Sequence, residues 1–217
     1  MTTMTWADPS ARTYESGVEK GVIRSKSGLI IPWNGLISVQ ESEEEASVTD
    51  TYFDGVKIES EKPRGFFTAQ IVGVELPSQF DDDHLILGRA IREIQGLVDI
   101  RPGFYLTGQN KREFDFSYQT LLPDGDYKIH LVWDARVVVS TTGSLSLGDT
   151  VQVETFTWAV RATPPRGTDG YLGSAHYVID SRKIDPTVLS AVEDYLYGTE
   201  STFPYFPTQE ELLEFFA

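Results

Sequence analysis

The sequence predicts a mainly β protein of antiparallel sheets, closed by one or two helices at its C-terminal end. Three observations predict this class. Short runs rich in Val, Ile, Thr and aromatics recur between Gly, Pro, Asn and Asp. Several of those runs alternate apolar and polar residues, the period of a strand with two distinct faces. Helical periodicity and capping residues gather in 185–217. The 217 residues suffice for one core, and the chain reads as a single domain, 1–217.

Taken in order, strands are expected at 21–23, 29–32, 36–41, 56–59 and 66–74. Residues 41–61 hold eight acidic side chains against one lysine. They read as an acidic loop or hairpin arm whose carriers include Glu41, Glu43, Glu44, Glu45, Asp50 and Asp54. A weak amphipathic pattern over 87–95 predicts a helix ended by Gly96. In 111–120, Phe114, Phe116 and Tyr118 alternate with Asp115, Ser117 and Gln119. In 126–134, Tyr127, Ile129, Leu131 and Trp133 share one face, and Lys128, His130 and Val132 the other. Between them Pro123 presets φ and Gly125 accepts positive φ, so the two runs predict a hairpin.

Runs 150–161 and 172–180 predict a second strand pair, joined by 163–170, where Pro164, Pro165, Gly167 and Gly170 break any ladder. Asp185 followed by Pro186 starts a helix. Val188, Leu189, Val192, Tyr195 and Leu196 form its apolar stripe, and Gly198 stops it. Thr208 with Glu211 three residues on is a capping box for a second helix.

Composition excludes several function classes. With no cysteine there is no disulfide, thiolate zinc site, iron–sulfur cluster or cysteine nucleophile. A formal charge of −15 argues against gripping nucleic acid or an anionic membrane, both of which need Lys and Arg. The start of the chain has neither a basic nor an apolar stretch, so no signal peptide is expected. No run approaches the roughly 20 apolar residues of a spanning helix, so no membrane anchor is expected either. The protein reads as one made and folded in a cytoplasm.

Local signatures of chemistry are missing. His84, His130 and His176 are not paired at ligand spacing, and each is expected alone, packed or solvated. Asp81, Asp82 and Asp83 beside His84 are the most ligand-like run. On an extended chain, however, adjacent carboxylates face opposite ways. The glycine and glutamate of a calcium loop are also absent. No Gly-x-Ser-x-Gly elbow occurs, and Ser174 with His176 implies no nucleophile–base geometry. The glycines at 143 and 148 lack the context of a phosphate cradle. The expectation is no catalytic, cofactor-binding or metal residue, no cofactor, and no enzyme.

An ordered set of motifs resembles one family. Gly21 and Val22 precede Trp33, Asn34, Gly35 and Leu36. The acidic stretch follows, then Tyr52, Phe53, Asp54, Gly55, Val56 and Lys57. Further matches fall at 116–121, 127–132, 175–180, 196–198 and 206–216. This pattern resembles the major tail proteins of long-tailed, siphovirus-like bacteriophages, particularly of actinobacterial hosts. No one motif is diagnostic; order and spacing from about Trp6 to the end carry the resemblance.

The resemblance implies antiparallel sheets packed at an angle, as a sandwich or open barrel. It also implies a virion protein that stacks as rings, usually hexameric, into a tube through which genome DNA passes without specific binding. Implied partners are further copies of the chain and the tape measure, terminator and tail-tip proteins. A distal, tail-tip ring is the alternative within that family. Outside it stands a carbohydrate-binding β-sandwich, suggested by four Trp and ten Tyr.

Overall fold

The computed structural model describes residues 14–44, 49–54, 56–61, 66–74, 91–101, 104–123, 125–142, 155–165 and 173–216. The predicted class holds: the fold is mainly β and antiparallel throughout. The strands are β1 (Ser16–Ser25), β2 (Ile30–Trp33), β3 (Leu36–Glu44), β4 (Thr49–Phe53), β5 (Val56–Glu61) and β6 (Phe66–Gly73). After them come β7 (Val98–Arg101), β8 (Phe104–Leu106), β9 (Phe114–Leu121), β10 (Tyr127–Thr142), β11 (Phe156–Ala162) and β12 (His176–Asp180). Helix α1 is described over 91–95. Helices α2 (Pro186–Tyr197) and α3 (Gln209–Glu214) follow β12.

Eight strands form one sheet in the order β2-β1-β9-β10-β11-β6-β3, with β12 also paired to β10. Pro32 lies on β2, at an edge of that sheet, where a missing N–H is tolerated. Hairpins β4–β5 and β7–β8 are separate two-stranded sheets. The predicted hairpin is β9–β10, with Gly125 at φ 83° in its turn. The predicted pairing of 150–161 with 172–180 is not formed. Strand β11 pairs with the C-terminal half of β10 and with β6, whereas β12 pairs with the N-terminal half of β10. At 16 residues β10 is nearly three times the usual strand length of about 5–6, so it offers two berths on one side, and the two runs fill one each.

Strand β10 achieves this by bending. Its register against β9 slips between Val132 and Ala135, and Asp134 sits there at φ 53°. The bulge is held from β9: the Asp134 N–H donates to Asp115 Oδ1 at 2.8 Å. Asp115 is fully buried and receives Arg24 at 2.6 Å and Lys26 at 3.4 Å. Lys26 also reaches the Asp134 carboxylate. A bulge kinks and twists its strand, so the sheet folds over on itself.

The fold-over creates two apolar layers. The inner one holds Ile23, Trp33, Phe67, Ile71, Phe114, Phe116, Tyr118, Phe156, Trp158 and Val160. The outer one packs Val22, Ile129, Leu131, Trp133 and Ile179 against Leu189, Val192, Leu196, Phe206 and Leu212 of the helical segment. Both faces of β9 are therefore buried, including its polar alternates Asp115, Ser117 and Gln119.

Helix α2 is capped as expected, with Asp185 accepting from the Thr187 N–H at 2.8 Å. Gly198 closes it at φ 76°, where an added Cβ would lie 2.8 Å from Thr202 O and Pro204 N. Thr208 and Glu211 form the reciprocal capping box of α3. Of the predicted helix at 87–95, residues 91–95 are helical and Gly96 ends them at φ 78°; 87–90 lie outside the described residues.

Asp115→Ala is expected to lower unfolding free energy by about 3–5 kcal/mol, because it strands Arg24 and frees the bulge. Arg182→Ala, which breaks the exposed pair with Asp180, should cost about 1 kcal/mol or less. Urea denaturation of both variants checks the contrast.

Candidate functional site

The family-like motif divides between core and turn. Trp33 is buried and stacks with Phe156 and Trp158 in the inner layer. Asn34 and Gly35, the latter at φ 85°, turn β2 into β3, and Leu36 starts β3 half-buried. Tyr52 and Lys57 are register partners on β4 and β5, and Asp54 tops their turn at φ 49°. Gly55 lies outside the described residues.

The acidic candidates separate. The backbones of Glu43 and Glu44 extend β3 opposite Phe67 and Phe66, and Asp50 pairs with Ser60 on β4. Glu45 lies outside the described residues, as do the 81–84 and 143–148 runs. Glu41 instead turns its carboxylate onto the main sheet.

There it meets two histidines that the sequence treated as unrelated. His130 on β10 faces its register partner Tyr118 on β9, with rings 4.6 Å apart and 10° from parallel. On β12 the register partner of His130 is Val178, so His176 is its diagonal neighbour on the same face. Their nitrogens, His130 Nδ1 and His176 Nε2, are 3.1 Å apart. Phe67 of β6 packs on His176 at 4.6 Å. In strand order β3 is four places from β9, so Glu41 reaches this cluster only because the sheet folds over.

Glu41 Oε1 lies 2.9 Å from His130 Nδ1 and accepts the Tyr118 hydroxyl. Glu41 Oε2 is 3.7 Å from His176 Nδ1. On the far side of His130, Nε2 is 3.0 Å from Thr120 Oγ1, which donates to Glu15 Oε2 at 2.8 Å. Burial would raise the Glu41 pKa, but hydrogen bonds from His130 and Tyr118, with the charge of both histidines, bring it down to about 2. Burial lowers His176 to about 4, with Glu41 opposing and His130 adding. Burial, reinforced by Glu41, pushes the Tyr118 hydroxyl up. At neutral pH the site thus presents a carboxylate and a neutral imidazole. Glu41, His130 and His176 each offer a ligand atom, all within 4.8 Å of one another.

The expectation of one isolated histidine per site is corrected for His130 and His176. No sequence spacing relates them, because the register of β12 on β10 alone makes them neighbours. The usable signal was that both occupy strands, together with the pairing of β12, which was misassigned. Ser174 is no nucleophile partner of the imidazole: its hydroxyl donates to the backbone carbonyl of His176 at 2.8 Å.

Other surface features point outward. Hairpin β7–β8 exposes Val98, Ile100, Phe104, Tyr105 and Leu106. An open apolar groove of about 420 Å³ lies between β12 and α3, lined by Tyr177, Val178, Ile184, Leu212, Leu213 and Phe216. Trp33, Trp133 and Trp158 are all buried and offer no face to a sugar. No helix among the described residues is long and apolar enough to cross a membrane.

No family model and no curated protein matches this chain. Among solved structures it is similar to a chain of an extracellular contractile injection system, the PVC sheath–tube complex in the extended state. Identity there is 10%, over 74% of this chain and 88% of that one, with TM-score 0.33. A chain of the anti-feeding prophage baseplate shares 12% over 83% and 100%, with TM-score 0.38. A chain from the tail of an empty gene transfer agent particle shares 15% over 66% and 91%, with TM-score 0.32. Similarity at this level assigns neither a family nor a function.

Tyr118→Phe removes the hydroxyl from an ionised acceptor and is expected to cost about 1.5–3 kcal/mol. In a Glu41→Gln background that cost should shrink. A double-mutant cycle in urea, with coupling of about 0.5 kcal/mol or more, is the check.

Proposed function

We propose that this chain is a structural virion subunit, the major tail protein of a siphovirus-like phage. Copies assemble into hexameric rings, the rings stack into a tail tube, and the tube conducts genome DNA during ejection. The observation that carries the assembly reading is hairpin β7–β8. It pairs with no other strand among the described residues, yet Ile100 is 51% and Phe104 57% exposed. An unpartnered two-stranded ribbon with apolar residues in water is marginal alone and is completed by a neighbour. A closed ring of identical copies also removes free sheet edges, which are otherwise aggregation hazards.

The motif order around Trp33–Leu36 and Tyr52–Lys57 supports the tail assignment. The charge of −15 supports transit without binding, since a wall rich in carboxylates repels phosphate. Hairpin β4–β5, reached through Glu43, Glu44 and Glu45 and bearing Asp50 and Asp54, serves as the arm to a neighbouring subunit or ring. The role is structural, not catalytic, and the protein resides in the tail after synthesis in the host cytoplasm. Its other partners are the tape measure, terminator and tail-tip proteins.

Light scattering and negative-stain microscopy of the purified full chain decide the assembly. Tubes are expected. Discrete rings that never stack would favour the tail-tip ring, and a monomer at every concentration that binds glycans would overturn both. The double substitution Phe104→Asp with Leu106→Asp should abolish assembly while leaving the far-UV circular dichroism unchanged. Deleting residues 43–46 should shorten or prevent tubes; tubes of normal length would remove the arm from this account.

A further inference from the structure

The hydroxyl and ring donors around His130 leave one ring nitrogen to be accounted for. Thr120 spends its single proton on Glu15, so it accepts from His130 Nε2–H. The other ring nitrogen, Nδ1, then faces Glu41 Oε1 at 2.9 Å and His176 Nε2 at 3.1 Å. A bare lone pair against a carboxylate at that distance is repulsive. A proton on Nδ1, the Nε2–H of His176 donated to it, or a metal ion relieves that contact.

We propose that Glu41, His130 and His176 are the protein ligands of a divalent transition-metal ion of the zinc class. Two donors bound at about 2.1 Å to a tetrahedral ion lie about 3.4 Å apart. His130 Nδ1 lies 2.9 Å from Glu41 Oε1 and 3.1 Å from His176 Nε2, and one ligand atom of each residue falls within 4.8 Å of the others, so side-chain shifts close the set on an ion. Two imidazoles and one carboxylate suit zinc or its neighbours and not magnesium or calcium. The orienting partners of such a site are in place. Thr120 and Glu15 hold the far nitrogen of His130, Tyr118 holds Glu41, and Phe67 packs on His176. The Glu41 and His176 side chains keep 36% and 15% of their exposure, which gives an ion an entry path and room for a water.

The ion would join β3, β10 and β12, three strands that make no ladder with one another except β10 with β12. It would therefore staple the root of the β4–β5 arm to the body. This proposal stands apart from the assembly reading, because a monomer contains all three ligands.

The test uses the full chain, freed of metal with a chelator and titrated with Zn²⁺ by calorimetry and with Co²⁺ by visible absorption. One saturable ion per chain is expected, with no comparable uptake of Mg²⁺. His176→Gln and Glu41→Gln should weaken Zn²⁺ by more than the about 10–100-fold typical of losing an orienting partner, and Thr120→Val by about that amount. Absence of saturable uptake by the wild type would leave a proton as the occupant and overturn the proposal. So would uptake that both ligand variants retain. If those variants fail to fold, X-ray absorption of the zinc-loaded wild type decides. Two imidazoles in the coordination shell are expected, and fewer would overturn the assignment.

Discussion

One buried carboxylate governs the geometry of this protein. Asp115 lies on the helix-facing side of β9, beside the polar Ser117 and Gln119, and it holds the Asp134 N–H, Arg24 and Lys26 together. That arrangement stabilises the bulge at Asp134, and the bulge lets β10 run through both halves of the folded-over sheet. Without the bend, β3 could not come back over β9. The inner aromatic layer, the outer helical layer and the Glu41 cluster all depend on it. Arg24 extends the same network to the C-terminal segment by donating to the Phe206 carbonyl at 2.9 Å. A single ionic knot thus links the fold-over of the sheet to the seating of the helices.

Much of this was legible from local pattern. The β9–β10 hairpin announced itself through alternation and a Pro-Asp-Gly turn, and the caps of α2 and α3 through Asp185 and Thr208. These features rest on contacts within a few residues, which sequence spacing reports directly. Strand partnership rests on contacts far apart in sequence, and there the reading failed. Runs 150–161 and 172–180 are adjacent in sequence, which favours pairing them with each other; the length of β10 gives each a separate place. The same gap concealed the cluster. His130 and His176 are 46 residues apart, and Glu41 is 77 residues before Tyr118. The register of β12 on β10 joins the histidines, and only a sheet folded on itself brings Glu41 to them.

Glu41 also shows how a charge count can mislead about place. It belongs by sequence to the acidic stretch of 41–61, which suggests a solvated arm. Yet β3 alternates, and its register opposite Ala69 sets Glu41 on the inward face, above the histidines. Ser42, one residue on, bonds instead to Thr68 at an exposed position. The acidic stretch therefore has two parts with different work. Its first carboxylate is an anchor within the body, and the rest continues into β4–β5. If hairpin β4–β5, which pairs with no other strand among the described residues, serves as the proposed arm, such an anchor would lower the entropy cost of engaging a partner.

The surplus of negative charge constrains how copies of this chain can meet. The cations that the structure pairs already face carboxylates: Lys128 faces Glu15, Arg92 faces Asp99, and Arg112 faces Glu93. Their positive charge is therefore locally cancelled, and the field between neighbouring copies is repulsive within a Debye length of about 8 Å at physiological salt. Contacts between copies must then draw on apolar area and backbone pairing. Hairpin β7–β8 suits that demand. Asp99, its one acidic residue, is matched by Arg92 on the same subunit at 2.7 Å, which leaves Val98, Ile100, Phe104, Tyr105 and Leu106 to supply the contact. Under the proposed assembly, high charge elsewhere would keep subunits soluble until that apolar surface is covered. Under the proposed tube reading, carboxylates facing the bore would repel phosphate, so the property that opposes assembly would also ease the passage of DNA.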